Sequence, residues 1–242
     1  MLVYTEQIYK GGFMNLVFDI ETVGYDFESL SESQQEFLTR YSESEKDPLK
    51  RLELIDESKR YLSLYPFTAK TIAIGLFNVE KEKAIVLYEN SLNEEWVSEE
   101  KTVTYKPVPE DEMLKYFWKY AGKAEKLISF NGRAFDLPFL MIRSAINKIK
   151  PARNLLRNRY DLSKHVDLLE QFTFHGLTKK FNLDFYCRSF GIDSPKSQGV
   201  TGMDVKELYK AGRMKEIAIY CGKDIKATYE LYRIWNDFLN IG

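Results

Sequence analysis

Cysteine and histidine are scarce, with two of each in 242 residues. Cys187 and Cys221 are too few and too isolated for a disulfide framework, and with His165 and His175 they show none of the usual spacings of a zinc site. Both cysteines are expected to be reduced packing residues. No apolar run approaches the roughly 18 residues of a membrane span, and the opening MLVYTEQIYKGGF lacks a basic stretch followed by an apolar core. The expectation is a cytoplasmic chain with no membrane partner. An excess of one charge is also missing: 35 basic residues against 36 acidic ones leave a net charge of −1. That balance excludes a global basic field, although a local patch stays open. Internal repeats and long low-complexity tracts are absent too.

What is present is enough apolar material, 44% of the chain, to build a proper core. NLVFDI opens a period-two alternation at residue 15, the mark of a strand. Met14 follows the Gly11-Gly12 pair directly before it, so residues 1–13 read either as a tag or as an N-terminal extension. From Tyr25 to about Ala69 the chain turns polar and charged, predicting short exposed helices interrupted at Pro48 and ended before Pro66. This stretch reads as an insertion or cover. KTIAIGLFN (70–78) and EKAIVLYEN (82–90) predict an antiparallel hairpin that extends the sheet.

VPEDEMLKYFWKYAG (108–122) has Pro and acids at its start and Gly at its end, as a helix does. KLISFNG (126–132) reads as a short buried strand. Helices are expected after FDLPFLMIRSAINK begins, within LTKKFNLDFYCRSFG, and through most of the last forty residues. Strands first, then strand and helix in alternation, predict an α/β fold with a mixed sheet flanked by helices.

Five side chains draw attention as candidate chemistry. Asp19 and Glu21 in FDIET share one strand face about 6.6 Å apart, where they repel by roughly 2 to 3 kcal/mol at an effective dielectric of 20. Asp136, in ISFNGRAFDLP, follows a strand and a Gly132 turn. Tyr220 and Asp224 stand one turn apart on a helix whose apolar stripe runs Ile217, Cys221, Thr228, Leu231, Trp235 and Phe238. A carboxylate on such a stripe must be paired, hydrated or bound to metal. Gly222, between Tyr220 and Asp224, suggests that something approaches the helix backbone closely. Each signal has a plain structural reading: a solvated sheet face, a helix cap at Asp136, an exposed helix edge. Taken together, four carboxylates without a cluster of His or Cys make a hard-oxygen site suited to Mg²⁺ or Mn²⁺. Two such ions form the clamp used for in-line displacement at phosphate.

FDIET, NGRAFD and YCGKD, in that order, resemble the three motifs of the ribonuclease H-like, DnaQ-like 3′→5′ exonucleases in their tyrosine (DEDDy) form. The likeness extends to stand-alone predicted exonucleases similar to the proofreading domain of family B DNA polymerases, with KSQGVTGMDV (196–205) adding to it. The resemblance implies a ribonuclease H-like fold in which residues 14–242 form one exonuclease domain, the charged helical segment at about 25–69 being an insertion. It implies that Asp19, Glu21, Asp136 and Asp224 hold two divalent metal ions, Mg²⁺ or Mn²⁺, and that Tyr220 orients the attacking water. It implies nucleic-acid contacts by Ile20, Thr22, Asn131, Phe135 and Lys196; Phe135 reads equally well as core.

The implied reaction is phosphodiester hydrolysis at 3′ ends, releasing nucleoside 5′-monophosphates, with single-stranded DNA favoured as substrate. An RNA exonuclease, a small-nucleotide phosphoesterase and a catalytically silent nucleic-acid-binding module remain alternatives. RSAINKIKPARNLLRNR (143–159) has six basic residues and no acid, so it reads as a backbone-tracking segment or as a solvated helix face. The glycines of KSQGVTG predict a mobile loop rather than a P-loop. His165 and Asp167 in KHVDLLE read as a hydrogen-bonded pair with a structural rather than a catalytic role.

Overall fold

A computed structural model describes residues 14–90, 94–156, 158–194 and 204–241. Seven strands form one mixed sheet: β1 (Asn15–Gly24), β2 (Ala69–Asn78), β3 (Lys83–Tyr88), β4 (Trp96–Val97), β5 (Val103–Pro107), β6 (Lys126–Ser129) and β7 (His165–Asp167). Their order across the sheet is β4-β5-β3-β2-β1-β6-β7. The hairpin of β2 and β3 is antiparallel, as its sequence predicts, and β1 lies antiparallel to β2 but parallel to β6. Around the sheet lie α1 (Glu32–Thr39), α2 (Pro48–Arg60), α3 (Glu110–Lys123), α4 (Asp136–Ile146), α5 (Leu168–Phe172), α6 (Leu183–Ser189), α7 (Val205–Lys210) and α8 (Met214–Phe238). This is a ribonuclease H-like α/β architecture. Among the described residues no helix is long and apolar enough to cross a membrane.

Strand alternation in β1 feeds two cores. Leu16, Phe18 and Ile20 point to one face, where they join Phe117 of α3 and Leu137 and Leu140 of α4. Val17 and Val23 point to the other, against Ile217, Cys221, Ile225 and Leu231 of α8. Asp19 and Glu21 therefore belong to the face covered by α8. The period-two pattern of NLVFDIETVG, read with the apolar stripe of the last helix, dictates this meeting. One element of that stripe departs from it: Phe238 is exposed at the helix end.

Two glycines let α8 come close to the sheet. Gly75 of β2 pairs with Asp19 of β1, and a Cβ there would lie 2.8 Å from Ile225 Cγ2 and 3.0 Å from Cys221 Sγ. Gly222 of α8 faces the Tyr105 hydroxyl of β5, which would be 2.9 Å from an added Cβ; this is the close approach its sequence position suggests. Tyr105 itself is held by stacking on Trp96 of β4, with centroids 4.4 Å apart.

Residues 25–68 link β1 to β2 and carry the two exposed helices α1 and α2. Neither α1 nor α2 contains a buried residue, and α2 begins at Pro48, with Asp47 accepting a hydrogen bond from the Leu49 N–H at 2.9 Å. Half of the basic residues of the run 143–159 are engaged by partners within the chain. Arg143 is buried in a two-bond pair with Glu110 (2.8 and 2.6 Å) and also donates to the Pro66 carbonyl at 3.1 Å. Arg153 donates to the Ala124 carbonyl at 2.9 Å, and Arg159 pairs with Glu170 at 2.6 Å. Arg157 lies outside the described residues. A phosphate-tracking role for this segment loses three of its six cations to these partners.

The Gly75 contact yields a direct expectation. Gly75→Ala places a methyl against the branched, fully buried Ile225, so α8 must lift from the sheet; overpacking of this kind costs about 1 to 3 kcal/mol. The melting temperature should fall by several degrees. An unchanged melting temperature would show that α8 does not rest on Gly75.

Candidate active site

The first two carboxylates are set by β1. Alternation puts Asp19 and Glu21 on one face, and their oxygens lie within 4.8 Å of each other and of Cys221 Sγ. After Glu21 the β1–β2 register slips, since Thr22 pairs with Thr71 and Ile72 has no partner on β1. The extra residue lies on β2, so the bulge bends β2 where it runs past the acids of β1.

Asp136 reaches the same place from the other side. Pairing of β1 with β6 ends at Val17, which leaves the Ile20 N–H beyond that ladder. Asp136 Oδ1 accepts from it at 3.1 Å. Asp136 is the first residue of α4, not its cap, and Phe135 at the cap position makes no side-chain cap bond. The helix-cap reading of Asp136 is thus replaced by a bond to the strand that carries Asp19 and Glu21.

Its placement depends on a tight loop. A Cβ on Gly132 would fall 2.6 Å from Ser129 Cβ, and Asn131 adopts the left-handed conformation at φ 62°. The Asp167 carboxylate holds this loop: it accepts from the N–H groups of Asn131 (2.9 Å), Arg133 (2.9 Å), Leu169 (3.0 Å) and Glu170 (3.4 Å). His165 does not pair with Asp167. Its Nε2 meets the Ser129 hydroxyl at 2.9 Å, and burial pushes its pKa down to about 3, so it is neutral at physiological pH.

Tyr220 and Asp224 arrive on α8, one turn apart and both buried. The phenol hydrogen-bonds to the Asp224 carboxylate, and burial, then Asp224, Glu21 and Asp19, hold its pKa far above the ordinary phenol value. Burial, reinforced by the neighbouring carboxylates, also raises Asp19 and Glu21 well above the usual range. Asp136 is pushed up to about 7, chiefly by burial, with Asp167 and Asp224 adding and backbone N–H donors opposing. Cys221 stays a thiol for the same reasons, and its Sγ lies 4.0 Å from the Asp19 carbonyl oxygen.

These five side chains line one open cleft of about 280 Å³, together with Ile20, Asn131 and Phe135. Its described lining contains no basic side chain. The four acids give a donor set of oxygens that fits a hard divalent ion such as Mg²⁺ or Mn²⁺. Phe135 both walls the cleft and packs on the core, tilted against Phe139 at 5.6 Å. Ile20 buries its side chain and gives its backbone to Asp136. Thr22 stands outside the lining, its hydroxyl donated to the Ser63 carbonyl at 2.7 Å. Lys196 and the KSQGVTG loop fall outside the described residues, apart from which MDV is described from Asp204 onward.

Sequence reasoning misses part of the wall: Phe130, Leu169, Phe181, Asn182 and Leu183. Asn182 caps α6 by accepting from the Phe185 N–H at 3.0 Å, and Phe181 stacks on Phe185 with centroids 4.1 Å apart. The Asn-Leu start of a helix is visible in the sequence. Nothing local says that it ends at this cleft.

A family described as predicted 3′-5′ exonucleases related to the exonuclease domain of PolB matches residues 66–238. Asp136, Tyr220 and Asp224 fall inside that match, whereas Asp19 and Glu21 precede it. Among solved structures, the chain is similar to the family B DNA polymerase of the hyperthermophilic archaeon Pyrobaculum calidifontis, with a TM-score of 0.59 and 15% identity over 95% of this chain. The likeness is one of fold, and the chain spans 25% of the polymerase's length. No curated protein matches the sequence. With a family match over most of its length and the corresponding fold, the chain belongs to the predicted 3′-5′ exonucleases related to the PolB exonuclease domain.

Proposed function

We propose that the protein is a metal-dependent 3′→5′ exonuclease of the DEDDy type, acting on single-stranded DNA ends and releasing nucleoside 5′-monophosphates. The observation that carries this reading is the convergence of Asp19, Glu21, Asp136, Asp224 and Tyr220 on one cleft whose described lining offers no cation. The fold shared with a DNA polymerase supports DNA as the polymer.

Asp19, Glu21, Asp136 and Asp224 are the residues that would hold two divalent ions. Bound there, the ions supply positive charge to the phosphate oxygens and acidify the attacking water. The chain's own part is positioning. Tyr220, protonated at any physiological pH, orients the water through its hydroxyl rather than taking its proton, and Asp224 fixes that hydroxyl. Phe130, Phe135 and Phe181 wall the terminal base, offering faces on which it can stack. The water oxygen bonds to phosphorus and the bond to the 3′ oxygen of the preceding nucleotide breaks; one proton of the water ends on that oxygen as the new 3′ hydroxyl and the other passes to solvent, leaving the 5′-monophosphate.

The test follows 5′-labelled single-stranded DNA and matched RNA with Mg²⁺, Mn²⁺ or chelator. A ladder shortening from the 3′ end of DNA, absent with chelator, is expected. Asp19→Ala and Asp224→Ala should each lower the rate by about 10²- to 10³-fold, the scale of a lost charge-stabilising group. Unchanged rates in either would remove the metal site as drawn. Tyr220→Phe should slow the chemical step by about 10- to 100-fold while leaving metal affinity intact; wild-type turnover would remove its role.

Stability of the metal-free protein should carry the same signature. Burial pushes the Asp136 pKa up to about 7 in the folded state, against about 4 when unfolded. Between those values the folded state binds more protons, so stability falls as pH rises. In melts with chelator, Asp136→Asn should gain on the wild type as pH goes from about 4.5 to 7.5, and Mg²⁺ or Mn²⁺ should stabilise the wild type at the upper end. A gap between the two proteins that does not change with pH would refute the buried carboxylate cluster.

A further inference from the structure

The insertion holds a feature that the cleft chemistry does not use. Between α1, α2 and the chain that leads into β2 runs an open groove of about 820 Å³. Five of its walls are aromatic: Phe37, Tyr41, Tyr61, Tyr65 and Phe67. They are exposed to 62%, 71%, 45%, 48% and 64% of their surface, a concentration of bare rings that the cover does not need for its own folding.

Three observations say what such a groove suits. Its described lining includes one charged side chain, Arg40, and no carboxylate, although Glu57 behind it accepts from the Tyr61 hydroxyl at 2.9 Å. The Arg40 guanidinium carbon sits over the rings, 3.7 Å from the Phe37 centroid and 4.3 Å from that of Tyr41, so it keeps a cation among the aromatic faces. A groove that received an apolar helix would be rich in aliphatic side chains, and here Leu38 is the sole aliphatic wall described. Rings alternating with hydroxyls, an amide and a guanidinium match the faces and phosphates of an unpaired strand.

The segment that forms the groove is tied to β1 just beyond the candidate active site. Thr22, the residue after Glu21, donates to Ser63 O at 2.7 Å between Tyr61 and Tyr65, and the Tyr25 N–H donates to the carbonyl of Thr68, on the groove wall, at 2.8 Å. The buried Arg143 ties the same segment to the core through the Pro66 carbonyl. Tyr25, which contacts the groove wall at Thr68, is four residue steps from Glu21 along extended backbone, about 13 Å, or roughly four nucleotides at the stacked spacing of about 3.4 Å.

We propose that this groove is a stacking platform for the single strand on the 5′ side of the terminal nucleotide, so that the substrate is a strand longer than about four nucleotides. The proposal rests on the exonuclease reading above and adds a second site to it.

The experiment compares wild type with Phe37→Ala/Phe67→Ala, both exposed positions, with Phe67→Tyr as the conservative control and circular dichroism to verify folding. Substrates are a trinucleotide and a 12-nucleotide single strand with the same 3′ end. Loss of a stacking ring should raise KM for the 12-mer roughly 5- to 100-fold, leave kcat within about twofold and leave the trinucleotide unaffected, and Phe67→Tyr should behave as wild type. Equal effects on both substrates, or none, would overturn the platform. So would an unchanged 12-mer KM together with lost binding of a basic amphipathic helical peptide, which would make the groove a protein-docking surface. If wild type hydrolyses neither substrate, the exonuclease reading fails separately. The groove is then judged by fluorescence anisotropy of the labelled 12-mer, where loss of binding in the double variant sustains it and equal binding overturns it.

Discussion

Mutual repulsion among buried carboxylates is the constraint around which this molecule is arranged. Asp19 and Glu21 oxygens within 4.8 Å of each other repel by about 3 kcal/mol at an effective dielectric of 20, and Asp136 and Asp224 add to it. The fold holds them there by apolar contact elsewhere. α8 lies on the sheet because Gly75 and Gly222 remove the two side chains that would keep it away, and the core on that face presses Ile217, Cys221 and Ile225 down around the acids. Packing energy on one helix therefore sustains an electrostatic arrangement that would otherwise spread apart, as expected where function overrides local stability.

The loop carrying Asn131 and Asp136 is held by a different means. Its left-handed residue and its close glycine are unfavourable in isolation, and the Asp167 carboxylate answers with four backbone N–H groups. Asp167 is a buried acid that stays outside the cleft lining. It acts as an anchor, joining the end of β6 to the start of α5 through one side chain.

How far the sequence exposes all this depends on the range of the interactions. Asp19 and Glu21 are legible because acids interrupt an apolar alternation, and Asp224 because it sits on a helical stripe; both are local patterns. The hairpin, α3, α4 and α8 are legible for the same reason. β4 and β7 are not, being two and three residues long, shorter than any period can show. Phe181 and Asn182 reach the cleft only through the turn of the chain before α6. Arg143 looks like a surface cation in a basic run, and its burial depends on Glu110, thirty-three residues earlier.

The bond from the Ile20 N–H to Asp136 has one more consequence. A backbone amide has no side chain to mutate, so the spacing between the strand acids and the helix acid is templated by peptide geometry rather than by residue choice. Ile20 is then free to change to suit the opposite core, and the chain can drift in its apolar packing while the separation of its carboxylates stays the same. A proline at position 20, which lacks that hydrogen, is the one natural residue that would break the template directly.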